Sequence, residues 1–419
     1  MSKLLSFYFL LLISCQSISE KNETSLKNSP ITDSLTYQLN ELYQLGHING
    51  FSVAITNEEG TLYEKGFGYA NVRDSIAYTA ETIQTVGSVS KTLIGIALLK
   101  AQEMGLLHLD DPINKHLPFQ VENPYSPNVP ITIRHLVHHT STIIDTDNYN
   151  FSYVLDQPLS KKDTVEVFQF FQPPSSDISI LEFLKNTLTK DGEWYSKDIF
   201  IDAKPGEKNQ YSNTGATLAA LIIEQVAGVS FSSFTKSHIL TPLDMSSSGW
   251  LKSEIDTHQF SQLYMNKEIP FPSYHLVTYP DGGFITSSDN LGKYLTELIK
   301  GYHGQGTLLQ TDSYVELFGQ EVQTDTTSQD AENPIMQLSY KKGIFMGFAP
   351  QHFYGHTGGD PGVVALMLFN SETKSGQIFI SNTDIDGENK EAIEQLFSIW
   401  STLNEYQVKY SNAKTLEKK

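Results

Sequence analysis

Strand-like segments lie at both ends of this chain, and a largely helical stretch separates them. FSVAITN (51–57) and LYEKGFGYAN (62–71) are joined at Glu59-Gly60, and strand-like apolar segments return after about residue 340. The simplest packing puts all of these strands in one antiparallel sheet. We therefore predict an α/β (α+β) fold, with an antiparallel sheet flanked by terminal helices and an inserted, mostly helical domain.

The 419 residues exceed what a single core usually serves, so two domains or subdomains are expected. An amphipathic helix should start at Asp33 or Ser34, and another should span Lys390 to Tyr406. The predicted segments are a signal peptide (1–15), a polar tether (16–32), a sheet domain (33–87 with 340–408), a mostly helical domain (88–339) and a polar tail (409–419).

The first fifteen residues have the layout of a secretory signal. Lys3 precedes an apolar stretch from Leu4 to Ile13, which is too short for a comfortable membrane span. The local LISC is similar to a bacterial lipobox, in which Cys15 would become the lipidated first residue. The alternative is a plain signal peptide with an incidental cysteine. We expect a cell-envelope protein on the periplasmic or cell-surface face, with a lipid on Cys15 as its only membrane contact.

Charge and cysteine content exclude several functions. The net charge is −19 and only two arginines are present, which argues against nucleic acid as a partner. A single cysteine excludes an internal disulfide and a cysteine-based zinc site.

Ser-x-x-Lys, a spacing that can pair a nucleophile with its base, begins at five serines: Ser88, Ser233, Ser339, Ser371 and Ser411. Only Ser88 stands where a strand-like stretch passes through Gly87 into a helix. Free backbone N–H groups at such a junction can bind an oxyanion, and Lys91 shares the helical face of Ser88. On this pattern alone, an N-cap serine is the favoured interpretation of Ser88, and a nucleophile is the alternative.

Two further motifs carry chemistry-bearing residues. QYSNTG places Tyr211 and Asn213 just before a helix, whereas the same Tyr-x-Asn spacing at Tyr69 and Tyr410 falls in an early strand and in the tail. GHTGGDPG places His356 at a strand end beside glycines that let backbone approach a ligand closely.

Ser-x-x-Lys, Tyr-x-Asn and His-Thr-Gly in this order resemble the β-lactamase-related serine hydrolases, the group of class C β-lactamases, D-Ala-D-Ala carboxypeptidases and penicillin-binding proteins. The neighbouring stretches are similar too: GFGYANV, LDDPI, ITIRHLVHHTS, PGEKNQYSNTG, LTPLDM and DGGFITSSDNLGKYL. The resemblance covers residues 33–405 and implies a β-lactamase/transpeptidase-like fold.

The resemblance implies a role for each motif residue. Ser88 would be the acylated nucleophile, Lys91 its partner, and Tyr211 the general base, as a phenolate or through a hydrogen-bond relay. Asn213 would hydrogen-bond Lys91 or the substrate amide. The remaining residues lie on the His-Thr-Gly strand, where His356 replaces the lysine of many relatives, Thr357 and Gly358 would bind substrate, and the N–H groups of Gly359 and Ser88 would form the oxyanion hole. No cofactor, metal or acidic deacylation base is required.

The implied function is a serine hydrolase that acts through an acyl-enzyme on amide or ester bonds of a small molecule or peptide. His356, with a reference pKa of about 6.5, is mostly neutral at pH 7 and would attract a substrate carboxylate weakly. We therefore favour a D-amino-acid peptidase, carboxypeptidase or esterase, expected as a monomer. The alternatives are a β-lactamase and a non-catalytic or penicillin-binding envelope protein.

Two further segments, the insertion over 143–195 and a histidine cluster before it, are interpreted as structural. Residues 143–195 form an insertion that could shape or cover the cleft, and Asp145–Asp156 within it lacks the glycine and glutamate of a calcium loop, which favours a solvated acidic loop. His135, His138 and His139 could bind a metal, but we assign them to the helix before this insertion. Thr142 stands where relatives often have glycine.

Overall fold

The computed structural model describes residues 29–159, 168, 170–319, 338–385 and 389–417. The predicted signal peptide, Cys15 and most of the tether lie outside these residues, and so does part of the 143–195 insertion.

Seven strands form the central sheet, and every neighbouring pair in it is antiparallel. They are β1 (Gly50–Asn57), β2 (Gly60–Asn71), β3 (Ile76–Ala77), β8 (Gly347–Ala349), β9 (Phe353–Asp360), β10 (Val363–Asn370) and β11 (Ser375–Ser381). Two short pairs lie outside it: β4 (Gln84–Thr85) with β7 (Ile285–Thr286), and β5 (Tyr153–Leu155) with β6 (Tyr274–Leu276).

The two ends of the chain meet in the middle of this sheet, whose strand order is β3-β2-β1-β11-β10-β9-β8. Strand β1 pairs with β11, so that Phe51 lies opposite Ser381 and Val53 opposite Phe379. This topology confirms the predicted antiparallel sheet built from both ends of the sequence.

Ten α-helices surround the sheet in the described part of the chain. They are α1 (Pro30–Tyr43), α2 (Lys91–Glu103), α3 (Ile133–Val137), α4 (Ile180–Leu188), α5 (Asn213–Ala227), α6 (Phe231–Thr235), α7 (Tyr279–Gly282), α8 (Ser288–Tyr302), α9 (Thr311–Phe318) and α10 (Lys390–Glu417).

The terminal helices α1 and α10 cover one face of the sheet. Leu39 and Trp400 pack there with Phe51 and Val53 in one apolar core. Helix α1 begins at Pro30, ahead of the predicted Asp33 or Ser34, because Ser29 supplies the N-cap and proline suits the first helical turn.

Helix α10 runs to Glu417, so the prediction of a polar tail over 409–419 is wrong for its described part. Tyr406 and Tyr410 are both buried, and their hydroxyls hydrogen-bond Ser34 (2.6 Å) and Thr32 (2.8 Å) of α1. These tertiary contacts extend the helix into a sequence whose local composition indicates no buried face.

Helix α8, from the middle of the chain, covers the opposite face. Gly292 lets it approach closely, since a Cβ there would lie 2.9 Å from Thr61 Oγ1, and Leu295 packs against Gly376. Because helices cover both faces of the sheet, successive side chains of β1 are all buried, and Phe51 to Thr56 form one continuous buried run.

Within the described residues, no single helix is long and apolar enough to cross a membrane. Helix Asn213–Ala227 and the helical segment Phe231–Leu240 meet the length and composition criteria only as a pair bent by 78°.

Candidate active site

Ser88 lies in a tight turn between β4 and α2. The turn is a 3₁₀ helix over Gly87–Ser90, and its glycine has a φ of +53°. A Cβ on Gly87 would lie 2.7 Å from the Gly359 nitrogen, so only glycine fits both the dihedral angle and the space. Ser90 fixes the turn, because its hydroxyl donates to Gly87 O (2.6 Å) and accepts from the N–H of Phe284 (3.0 Å).

Lys91 is fully buried one turn after Ser88. Its amine donates to Ser88 Oγ at 2.9 Å and to the backbone oxygen of Asp281 at 2.6 Å. Burial lowers the pKa of this amine, and the carboxylates of Asp281 and Asp360 oppose that shift. The lysine therefore combines a fixed position beside the serine with an increased tendency to be neutral.

Tyr211 lies on the other side of Lys91, whose amine is 5.2 Å from the centre of the tyrosine ring. Burial raises the pKa of Tyr211, and an interaction between its hydroxyl and Ser88 offsets part of that shift. His139 stacks on the tyrosine with ring centres 4.4 Å apart, and its Nδ1 accepts the N–H of Ser212 at 3.2 Å. The histidine thereby holds the segment that carries Tyr211.

Asn213 is the first residue of α5, at the edge of the same site. Its backbone N–H donates to Asp145 Oδ2 at 2.8 Å. Among the described residues, the hydrogen-bond partners of the Lys91 amine are Ser88 Oγ and Asp281 O. The hydrogen bond from Lys91 that the resemblance implies for Asn213 is thus made to the carbonyl of Asp281 here, and the other implied role of Asn213, binding the substrate amide, stays a prediction.

Strand β9 passes directly beside Ser88. A Cβ on Gly358 would lie 2.0 Å from the oxygen of Val86 and 3.0 Å from the nitrogen of Ser88, so glycine is required at this crossing. The next residue, Gly359, is exposed, and a Cβ on it would meet nothing closer than 4.0 Å. The backbone nitrogens of Ser88 and Gly359 therefore lie close together at an open surface, as an oxyanion hole requires.

His356 lies beneath this surface, with 1% of its area exposed. Its Nδ1–H donates to the oxygen of Thr357 at 2.5 Å, and its Nε2 has no partner among the described residues. Burial, assisted by Lys91, lowers the pKa of His356 to about 3. The histidine stays neutral well below its reference value of about 6.5. Tyr340 covers it, with ring centres 4.4 Å apart.

The prediction of a solvated acidic loop over Asp145–Asp156 is wrong, because its tyrosines reach into the site. Tyr149 donates to Asp281 Oδ1 and Tyr153 donates to Asp360 Oδ1, each at 2.7 Å. Asp145 accepts from the backbone at the start of α5. The segment is polar because its tyrosine hydroxyls donate to carboxylates in the site and its aspartate accepts from a helix end, and not because it faces solvent.

Replacing Asp145 with alanine should lower the free energy of unfolding by about 1–2 kcal/mol. Its carboxylate accepts the N–H groups of Asn213 (2.8 Å) and Thr214 (2.9 Å), which have no partner within their own helix. Urea denaturation measures the change, and Asp147→Ala, at an exposed neighbour, is the control. Equal midpoints for the two variants would contradict the capping role.

The sequence motifs brought Ser88, Lys91 and Tyr211 together correctly, but several residues around them escaped notice. His139 was assigned to a helix end, yet it has a φ of +54° and stacks on Tyr211. Asp281 and Asp360 lie within the quoted DGGF and GHTGGDPG stretches, which was the available signal. Tyr340 follows no motif, and nothing in the sequence indicated its place.

Thr142 has a φ of +73°. This left-handed conformation is one that glycine adopts freely and a β-branched residue adopts with strain. Its Oγ1 accepts from the amide of Asn123 at 2.8 Å, which helps to hold the loop in place.

The chain matches the family described as Beta-lactamase over residues 39–399. It is 25% identical over 345 residues to Protein flp of Staphylococcus aureus (strain MW2), a match covering 81% of this chain and 60% of that protein. It is also 25% identical over 365 residues to Penicillin-binding protein 4* of Bacillus subtilis (strain 168), covering 83% and 72%. The chain thus spans less than two thirds of the staphylococcal relative.

Solved structures show the same fold. An octameric penicillin-binding protein homologue from Pyrococcus abyssi has a TM-score of 0.63 and 24% identity, covering 84% of this chain and 72% of its own. D-amino acid amidase from Ochrobactrum anthropi SV3 has a TM-score of 0.62 and 20% identity, covering 90% and 99%. EstCE1, a hydrolase with promiscuous acyltransferase activity, has a TM-score of 0.62 and 17% identity, covering 89% and 100%.

The family match takes in all seven strands of the central sheet and the whole region that holds Ser88, Lys91, Tyr211 and His356. The predicted β-lactamase/transpeptidase-like fold is confirmed, and the chain belongs to the Beta-lactamase family.

Proposed function

We propose that this protein hydrolyses amide or ester bonds through an acyl-enzyme on Ser88, with small D-amino acid amides, peptides or esters as its substrates. The observation that carries the proposal is the buried Lys91 amine, 2.9 Å from Ser88 Oγ, beside paired backbone nitrogens of Ser88 and Gly359. A nucleophile, a base and an oxyanion site in one place are what acyl transfer needs.

In the proposed reaction the neutral Lys91 amine removes the proton of Ser88 as Oγ attacks the substrate carbonyl. The N–H groups of Ser88 and Gly359 stabilise the resulting oxyanion. The Tyr211 hydroxyl relays a proton to the leaving group, and water then enters by the reverse path. We favour this relay over a Tyr211 phenolate, because burial raises the pKa of the tyrosine while it lowers that of Lys91.

The choice between amide and ester substrates rests on comparison. One neighbour is a D-amino acid amidase and another, EstCE1, is a hydrolase with promiscuous acyltransferase activity. Mass spectrometry after exposure to p-nitrophenyl acetate, a fluorophosphonate and penicillin G distinguishes the outcomes. We expect the first two to add their groups at Ser88 quickly and penicillin slowly. A protein that none of the three modifies would be a non-catalytic binder.

His356→Lys should increase acylation by an anionic penicillin about fivefold to tenfold at pH 7–8. The neutral imidazole supplies no charge, whereas a lysine would add a cation near the serine, worth about 1 kcal/mol after desolvation. Acylation kcat/KM for penicillin G and for p-nitrophenyl acetate in both proteins is the measurement. A common factor for both substrates would show that position 356 does not face the charged end of a substrate.

We also propose that the protein is held at the cell envelope by a lipid on Cys15, on the strength of Lys3 and the LISC stretch. Cys15→Ser should release it from the membrane fraction or block its processing. Unchanged fractionation with an unchanged mature mass would argue against the anchor.

A further inference from the structure

We propose that the site selects substrates carrying an ammonium group on the carbon next to the scissile carbonyl, and that the Asp360 carboxylate binds this group. The proposal rests on the proposed hydrolase function and adds the substrate class, namely amides or esters of amino acids with a free amino group.

Asp360 offers one carboxylate oxygen that the fold leaves open. Its Oδ1 accepts the hydroxyl of Tyr153 at 2.7 Å, while its Oδ2 has no hydrogen-bond partner among the described residues. Asp360 is partly exposed, and Oδ2 lies against Gly282, where a Cβ would be 2.8 Å away. One oxygen is thus oriented by the protein and the other remains available to a ligand.

The neighbouring carboxylate, Asp281, is buried, and each of its two oxygens already accepts a hydroxyl. Its oxygens accept the hydroxyls of Tyr149 (2.7 Å) and Thr217 (2.6 Å), and 1% of the residue is exposed. A ligand therefore cannot reach Asp281 directly, but its charge adds to the negative potential around Asp360.

No described lysine, arginine or histidine forms an ion pair with either carboxylate. Lys91 is a cation-forming group that acts electrostatically on both carboxyls, but its amine is hydrogen-bonded to Ser88 Oγ and Asp281 O. A carboxylate removed from water normally has a cationic partner. Without one, loss of solvent around the carboxyl raises the pKa of the buried Asp281 to about 6 and that of the partly exposed Asp360 to about 7. A substrate ammonium would supply the missing charge, whereas a substrate carboxylate would be repelled.

The position of Asp360 matches the reach of an α-ammonium. Asp360 follows Gly359, whose N–H forms one side of the oxyanion site, and consecutive Cα atoms are about 3.8 Å apart. An amino group on the carbon beside the scissile carbonyl would lie a few ångströms from the carbonyl oxygen, and Asp360 is the residue that follows the oxyanion-site N–H along β9. Both Asp360 and Asp281 also act electrostatically on the Lys91 amine next to Ser88.

The test compares D-alanine p-nitroanilide with its N-acetyl derivative, which lacks the charge. We expect wild-type kcat/KM to favour the free amine at least about tenfold, the effect of one partly screened charge pair. Asp360→Asn should remove that preference, so that the ratio of kcat/KM for the two anilides falls to about one whatever the variant's rate with p-nitrophenyl acetate. Asp177→Asn, at an exposed carboxylate, is the matched control and should keep the preference.

A second measurement covers the case in which neither anilide is turned over. D-alaninamide and N-acetyl-D-alaninamide are compared as inhibitors of p-nitrophenyl acetate hydrolysis by the wild type. This comparison needs no variant, so it also tests the ammonium site if Asp360→Asn does not fold. Equal inhibition, or an Asp360→Asn variant that loses both substrates equally, would overturn the ammonium site. Failure of the wild type to be acylated by p-nitrophenyl acetate would instead overturn the proposed function.

Discussion

Ser88→Ala should abolish covalent labelling by a fluorophosphonate and lower turnover by on the order of 10⁴-fold or more. Ser88 Oγ is the only hydroxyl that accepts from the Lys91 amine in the described part of the chain, at 2.9 Å. Without it no acyl-enzyme forms, and the residual rate comes from the oxyanion site and substrate binding alone.

Ser233→Ala is the matched control, because Ser233 and Lys236 repeat the same Ser-x-x-Lys spacing. Ser233 lies in α6, where its hydroxyl accepts from Ser230 Oγ at 2.8 Å, whereas the Ser88 hydroxyl accepts from a lysine. We expect this variant to label and turn over as the wild type does. Turnover that survives Ser88→Ala, or is lost in Ser233→Ala, would refute the assignment of the nucleophile.

Lys91→Ala and Tyr211→Phe should each lower acylation kcat/KM by about 10²–10⁴-fold, and the double variant should lose little more than either single one. The two side chains move one proton between Ser88 and the leaving group, so removing either breaks the same path. Single-turnover acylation by p-nitrophenyl acetate measures the effect. Losses that multiply fully would show that the two residues act independently.

The pH profile supplies the control for this pair. A base must be unprotonated, so acylation should fall as the pH drops through the apparent pKa of the Lys91–Tyr211 pair. His356 does not contribute to this acid limb, since burial holds its pKa at about 3. His356→Gln should therefore leave the midpoint of the limb unchanged, and a shift would mean that the histidine titrates with the pair.

Much of the fold could be predicted because its local signals are strong. Strand β1 (Gly50–Asn57) matches the predicted 51–57 to within one residue, and β2 (Gly60–Asn71) ends at the predicted residue. The predicted bounds of strands and helices were less accurate where tertiary contacts determine the local structure. Strand-like segments are predicted to return after about residue 340, yet the first strand there, Gly347–Ala349, is short, and Phe345 just before it has a φ of +50° that a strand does not allow. The C-terminal helix was predicted too short for the same kind of reason.

By itself, the sequence determined which segments become strands and helices and which serine stands at a strand-to-helix turn, because periodicity and glycine placement act over a few residues. Only the tertiary structure decided the electrostatics of the site. The hydrogen bond from Lys91 to Asp281 joins residues 190 positions apart, and that from Tyr153 to Asp360 joins residues 207 apart. Burial and partners of this kind set the protonation of Lys91, His356 and Asp360, since the energy of a charge depends on the groups the fold brings around it.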